Sequence, residues 1–239
     1  MIGRFVLAAL LAGLIAGAVL AVLQNIRLTP LILAAEVFER SDAAAEQALP
    51  VCKETMPGIR MCREDGAAEW EPAPGLQRIG LAGVASLLAG GGFAAMLAGL
   101  SLLLNVPITR ANGWIWGLSG YCAVHLATAA GLAPQLPGLP MADLALRQIW
   151  WLGTIVATGA AIYCFAVRRE HWAPFLGVVL LALPHIIGAP VAPPGQSSVP
   201  PALAASFAAN ALGCAALFWL LMGVLLGRFL PPISEKFES

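Results

Sequence analysis

"FVLAALLAGLIAGAVLAVL", Phe5 to Leu23, decides what kind of protein this is. Nineteen consecutive uncharged residues are enough helix to cross a bilayer core, which takes roughly 18 or more. Arg4 precedes the run and small residues fill it, as in a cleaved leader. The run nevertheless exceeds the roughly 7 to 15 apolar residues of a signal peptide, and "AVLQNIRL" after it offers a poor small-residue cleavage site. It is therefore read as a retained first membrane helix.

Five further uncharged runs follow: Ile79 to Leu104, Gly113 to Leu132, Ile149 to Val167, Trp172 to Ala189 and Leu203 to Gly227. All 26 charged side chains of the 239-residue chain lie outside the six runs. A charge at a membrane helix centre costs roughly 2.5 to 3.5 kcal/mol, which explains the segregation. With 59% hydrophobic and 11% charged residues, the composition excludes an ordinary soluble domain. A formal net charge of zero gives no reason to expect nucleic acid as a partner.

The fold class expected is an all-α, polytopic transmembrane bundle that forms one domain over residues 1–239. Six spans that start with Met1 inside place Arg4, Arg110, Arg168, Arg169, Arg228 and Lys236 on the cytoplasmic side, and the short outer loops hold only Arg147. Both termini are then cytoplasmic. Five crossings are the alternative, because the fifth run is short and contains Pro184 and could be re-entrant.

On this topology the segment 24–77 is an extracytoplasmic loop between the first two helices. "TPLILAAEVFER", Thr29 to Arg40, predicts a helix that starts at Pro30, with Leu31, Val37 and Phe38 on its apolar face. "VCKETMPGIRMC" places Cys52 and Cys62 around a Pro-Gly turn. An oxidising compartment favours a disulfide between them; a soft-metal pair and two free thiols are the alternatives. Cys122, Cys164 and Cys214 lie in separate spans as small packing residues. Ser206 and Asn210, four apart, share a helix face and can hydrogen-bond across a helix interface.

No phosphate-binding loop, dinucleotide fingerprint, His-Glu-x-x-His pair or nucleophile elbow is present, so an enzyme is not expected. The chemistry rests on a few polar groups at membrane depth. His125 follows Cys122 by three positions, a spacing that suits a soft or borderline ion. His185 follows Pro184, which removes a backbone donor and should kink the helix, with Gly188 and Pro190 loosening or ending it; broken helices expose carbonyls that can hold a cation. Either histidine could equally be hydrogen-bonded between packed helices. His171 is read as interfacial. "GLAPQLPGLPMADL", Gly131 to Leu144, cannot be helical through its prolines and should cap the third and fourth helices. Asp143 falls at the next helix start as an N-cap or, alternatively, as a vestibule acid with Glu36 and Glu39.

"TPLILAAEVFE", "GLSGYCAVHLATAAGLAPQLPGLPMADLALRQIWWL", "LPHIIGAP" and "AANALGCAALFWLLMG" resemble, in this order, the CbtA family of proposed cobalt transporter subunits. The resemblance implies a bacterial inner-membrane protein for cobalt uptake linked to cobalamin synthesis. It implies a small CbtB-like membrane partner with a His-rich tail, and cobalt as a transported ion, not a permanently bound cofactor. Family descriptions give five helices where the charge count gives six. By position, His125, Asp143 and His185 become candidate metal residues, joined by Glu36 as a vestibule acid. Gln135 stands where the family's proline link is expected to carry Glu. A non-transporting membrane scaffold or assembly protein is the alternative. A membrane-embedded enzyme would require Cys122, His125 and His185 to converge.

Overall fold

A computed structural model describes residues 2–47, 52–56, 59–62, 72–73, 75–195 and 197–231. Its helices are α1 Ile2–Arg27, α2 Thr29–Gln47, α3 Leu76–Leu103, α4 Gly113–Tyr121, α5 Ala127–Ala129, α6 Leu144–Ala166, α7 Ala173–Ile187 and α8 Pro201–Phe229. A π-helical turn, Cys122–Leu126, joins α4 to α5, so helix runs unbroken from 113 to 129. Four helices, α1, α3, α6 and α8, are long and apolar enough to cross a membrane, and α7 is a shorter apolar helix of 15 residues. The six apolar runs of the sequence thus all fold as helix, but the run at 113–129 and α7 fall short of the roughly 20 residues of a standard span.

At the helix crossings the residues inside are small and those facing outward are large. α1 buries Ala9, Ala12 and Ala16, while Leu7, Leu11 and Leu14 on its other face are exposed. A soluble helix would be arranged the other way, but lipid solvates leucine as well as a core does, so packing in a bilayer selects for close backbone approach. At the α1–α3 crossing a Cβ on Gly13 would stand 2.3 Å from the Gly90 carbonyl oxygen, and one on Gly17 would stand 2.5 Å from that of Ser86. The α4–α8 crossing repeats this: Gly113 approaches Gly223 O at 2.4 Å and Gly117 approaches Trp219 O at 2.3 Å in the same sense. Trp219, Phe218, Met222 and Leu226 of α8 fill the centre where these pairs meet.

Those contacts also fix direction. Gly13 lies against Gly90 and Gly17 against Ser86, so α1 and α3 are antiparallel; Gly113 against Gly223 and Gly117 against Trp219 make α4 and α8 antiparallel. Trp150 meets Pro184 and Phe165 meets Gly177, so α6 and α7 are antiparallel as well. Arg27, at the end of α1, donates to Asn210 near the start of α8 (Nε to Oδ1, 3.0 Å). Val124, Thr128 and Gly131, toward the end of the third apolar run, face Arg147, Trp150 and Trp151 in the first turns of α6, which sets α6 against α4, and the six apolar helices alternate in direction along the chain.

At the end of the bundle where α1 finishes and α8 begins, three segments form a cap. Ala35 of α2, Leu136 of the proline link and Val199 of the stretch before α8 make a second buried cluster, with Ile32, Phe38 and Phe207 packed on it. The proline link caps the helices as its composition predicts, and it turns at Gly138 with φ 79°, close to Glu39 of α2. Helix α2 starts one residue before Pro30. Farther along, β1 Cys52–Met56 and β2 Ile59–Cys62 pair antiparallel, and their register sets Cys52 opposite Cys62.

Two buried threonine hydroxyls are satisfied on their own helices, whereas Thr158 Oγ1 has no partner among the described residues. Thr128 Oγ1 donates to the Val124 carbonyl (2.7 Å) and Thr154 Oγ1 to that of Trp150 (2.8 Å), each four residues back on its own helix. Asn210 Nδ2 bonds the Ser206 carbonyl in the same way (2.8 Å), which orients its oxygen toward Arg27.

Candidate functional site

His125 lies inside the π-helical turn. The Ala127 N–H bonds the Cys122 carbonyl five residues back, which inserts an extra residue into the turn. Such turns are uncommon and recur at functional positions. Trp219 Nε1–H donates to His125 Nδ1 at 3.0 Å, and the imidazole stacks over Tyr121 with ring centroids 6.4 Å apart. A neutral ring whose Nδ1 accepts a hydrogen bond carries its proton on Nε2; the tautomer is assigned from that bond. In this state His125 presents a donor and not a lone pair. It lines a cavity of about 300 Å³ shared with Thr128, Gln135, Arg147, Gln148 and Trp151.

His185 is placed differently. It is exposed on the last turn of α7, in an edge-to-face contact with Trp150, the ring centroids 6.0 Å apart. Pro184 does not end the helix, which continues to Ile187 and stops at Gly188, where φ is 87°. The Pro184 carbonyl accepts both the Gly188 N–H and Trp150 Nε1–H, each at 3.1 Å. The carbonyl beside His185 is therefore committed to protein donors.

The two carboxylates are also engaged. Asp143 Oδ1 accepts the Leu146 N–H at 3.1 Å and so N-caps α6. Glu36 pairs with Arg78 at the start of α3 and, at 3.2 Å, with Arg40 one turn along α2. The hydrogen bond from Arg78 holds the Glu36 carboxyl below the usual carboxylate range; partial burial opposes this, and Arg40 adds to the lowering. Among the described residues, no group of three or more His, Cys, Asp and Glu side chains comes together in a metal-binding arrangement. His125, His185, Asp143 and Glu36 thus occupy separate settings, and Cys122, His125 and His185 do not converge into one centre.

Sequence reading missed Trp219 as the partner of His125. It lies 94 positions away, and an apolar tryptophan in a membrane run gives no sign of what its N–H will meet. It also missed the packing surface of Gly113, Gly117 and Gly120 against Gly223 and Gly227, although the small residues at spacings of three and four were there to be read.

Several apolar, antiparallel helices with small residues at their crossings and a cap of non-spanning segments at one end define a multi-pass helical membrane protein. Residues 2–231 match the family model described as probable cobalt transporter subunit (CbtA), and the chain belongs to that family. Neither the curated proteins nor the solved structures contain a match.

Proposed function

We propose that this chain is the membrane subunit of a cobalt uptake system linked to cobalamin synthesis, acting in the bacterial inner membrane beside a small CbtB-like protein with a His-rich tail. The single observation that carries this reading is the family match along nearly the whole chain. The topology proposed is six crossings with both termini cytoplasmic. The alternating helix directions support it, since a five-crossing bundle would make its first and last helices parallel. The segment 24–77 and the cap then face the outside. There Cys52 and Cys62, opposite each other in the β1–β2 register, are proposed to form a disulfide.

His185 is the better of the two histidine candidates for a station on the ion's path, because it is exposed and no hydrogen bond occupies its ring nitrogens among the described contacts. His125 would need to give up the Trp219 hydrogen bond at Nδ1, or the proton on Nε2, before it could ligate. Glu36 and Asp143 are proposed as outer acids that would have to exchange their present partners for the ion.

Radiolabelled cobalt uptake tests this in cells that lack other cobalt importers and express the chain with its small partner. Wild-type uptake that His185→Ala abolishes at equal membrane expression is the expected result. A scaffold or assembly role is the second reading, favoured by the separate placement of every candidate donor. It predicts no uptake above background in wild type.

A further inference from the structure

The cavity beside His125 has a composition that does not suit a metal cation. Its polar lining is Thr128, Gln135, Arg147, Gln148 and His125, and no carboxylate contributes to it among the described residues. Thr128 spends its hydroxyl proton on backbone carbonyls. Arg147 is half-buried, and among the described residues its Nε is a buried donor with no hydrogen-bond partner; Nη1 donates to the thioether of Met141, at 3.3 Å. A guanidinium held against so weak an acceptor, with one N–H idle in a buried position, leaves free energy unrealised until an oxyanion arrives. His125 adds a ring whose proton sits on Nε2 because Trp219 claims Nδ1. Gln135 and Gln148 can each turn an amide N–H inward. The donors outnumber the acceptors.

The depth of the cavity narrows the choice of anion. Arg147 and Gln148 lie in the first turns of α6, immediately inside the proline link, and Trp150 and Trp151 follow them, as aromatic residues do at a headgroup boundary. The remaining walls are apolar: Leu132, Leu144 and Leu212. A cation and amide donors above apolar walls at that depth match a group that is anionic at one end and hydrocarbon at the other.

We propose that this cavity binds the phosphate group of a phospholipid, with Arg147 as its principal contact and Gln148, Gln135 and the His125 Nε2–H as further donors. The chemistry recognised is a phosphate oxyanion, and a soluble phosphate is the other source that could supply it. The proposal is independent of which ion, if any, the protein carries.

The test uses the full chain, purified in detergent and stripped of lipid, with native mass spectrometry and thermal unfolding as readouts. Phosphatidylglycerol, diacylglycerol and inorganic phosphate are added separately to wild type, Arg147→Gln, Arg147→Lys and, as a control at the opposite end of the bundle, Arg110→Gln. The expected result is a phosphatidylglycerol adduct on wild type and Arg110→Gln, weakened roughly tenfold or more by Arg147→Gln and less by Arg147→Lys, which keeps the charge but loses the fork. Diacylglycerol, without phosphate, should give no adduct. Elution of Arg147→Gln with the wild-type profile separates lost binding from lost folding; if it fails to fold, Arg147→Lys carries the comparison. Stabilisation by inorganic phosphate alone, also dependent on Arg147, supports the phosphate site with a soluble source. Equal retention of phosphatidylglycerol and diacylglycerol, or retention unaffected at Arg147, overturns the proposal.

Discussion

His125 and His185 look alike in sequence, each a lone imidazole in an apolar run close to a proline or glycine break, yet they sit in regions built on different principles. Around His125 the packing is anchored by a backbone-on-backbone contact: Gly117 stands against the Trp219 carbonyl, and this seats the Trp219 ring on Gly120, where its N–H holds the imidazole. Around His185 the packing is side chain on backbone: Trp150 reaches the Pro184 carbonyl, and the Phe165 ring covers Gly177 at the other end of the pair. A backbone contact cannot give way without moving a helix, whereas a ring can rotate aside. The first histidine is therefore fixed by the fold and the second is left available.

The largest expected effect tests that contrast directly. Gly117→Ala forces a Cβ to within 2.3 Å of a carbonyl oxygen on a packed helix and should cost ~1–3 kcal/mol, seen as a lower thermal midpoint and a smaller monodisperse fraction in detergent. Gly177→Ala meets only the half-exposed Phe165 ring and should leave both nearly unchanged. Equal losses at the two sites would break the comparison.

Trp219→Phe should come next, because it removes the N–H and part of a fully buried ring. Loss of the hydrogen bond alone is worth about 0.5–1.5 kcal/mol. Imidazole nitrogen shifts in NMR should show His125 passing from one tautomer to a mixture; an unchanged Nε2–H signature would mean that Trp219 does not set it.

Trp150→Phe should have a smaller and more local effect. The Pro184 carbonyl keeps its bond from Gly188, so global stability should fall by under ~1 kcal/mol while amide exchange quickens around residues 185–188. Faster exchange throughout α7 would mean that this bond anchors the whole helix.

The smallest effect lies outside both regions, at the Glu36–Arg78 pair that ties α2 to the start of α3. Because the folded pKa of Glu36 is depressed, its contribution is present above the unfolded value of roughly 4.3 and is lost as pH falls through the folded value. Glu36→Gln should flatten the stability profile in that acidic window by about 1 kcal/mol or less and change nothing at neutral pH beyond a constant offset.

The sequence by itself determined the class of protein and the location of every apolar helix, because a hydrocarbon environment penalises charge so heavily that all 26 charged residues had to fall outside the runs. It also made Asp143 legible as a helix cap and the proline link legible as a cap over the bundle, since both follow from local backbone chemistry. The span count was less legible: Pro184, the π-helical turn and the short α7 leave the fifth and third runs below standard length, and charge patterns do not register a helix that shortens. Only the tertiary structure decided which lone pair of His125 is taken, which acid Arg78 holds and which donor Arg147 leaves idle. Those outcomes depend on contacts between residues as much as 94 positions apart, and within an apolar run nothing in the local pattern records which side chain a neighbouring helix will bring.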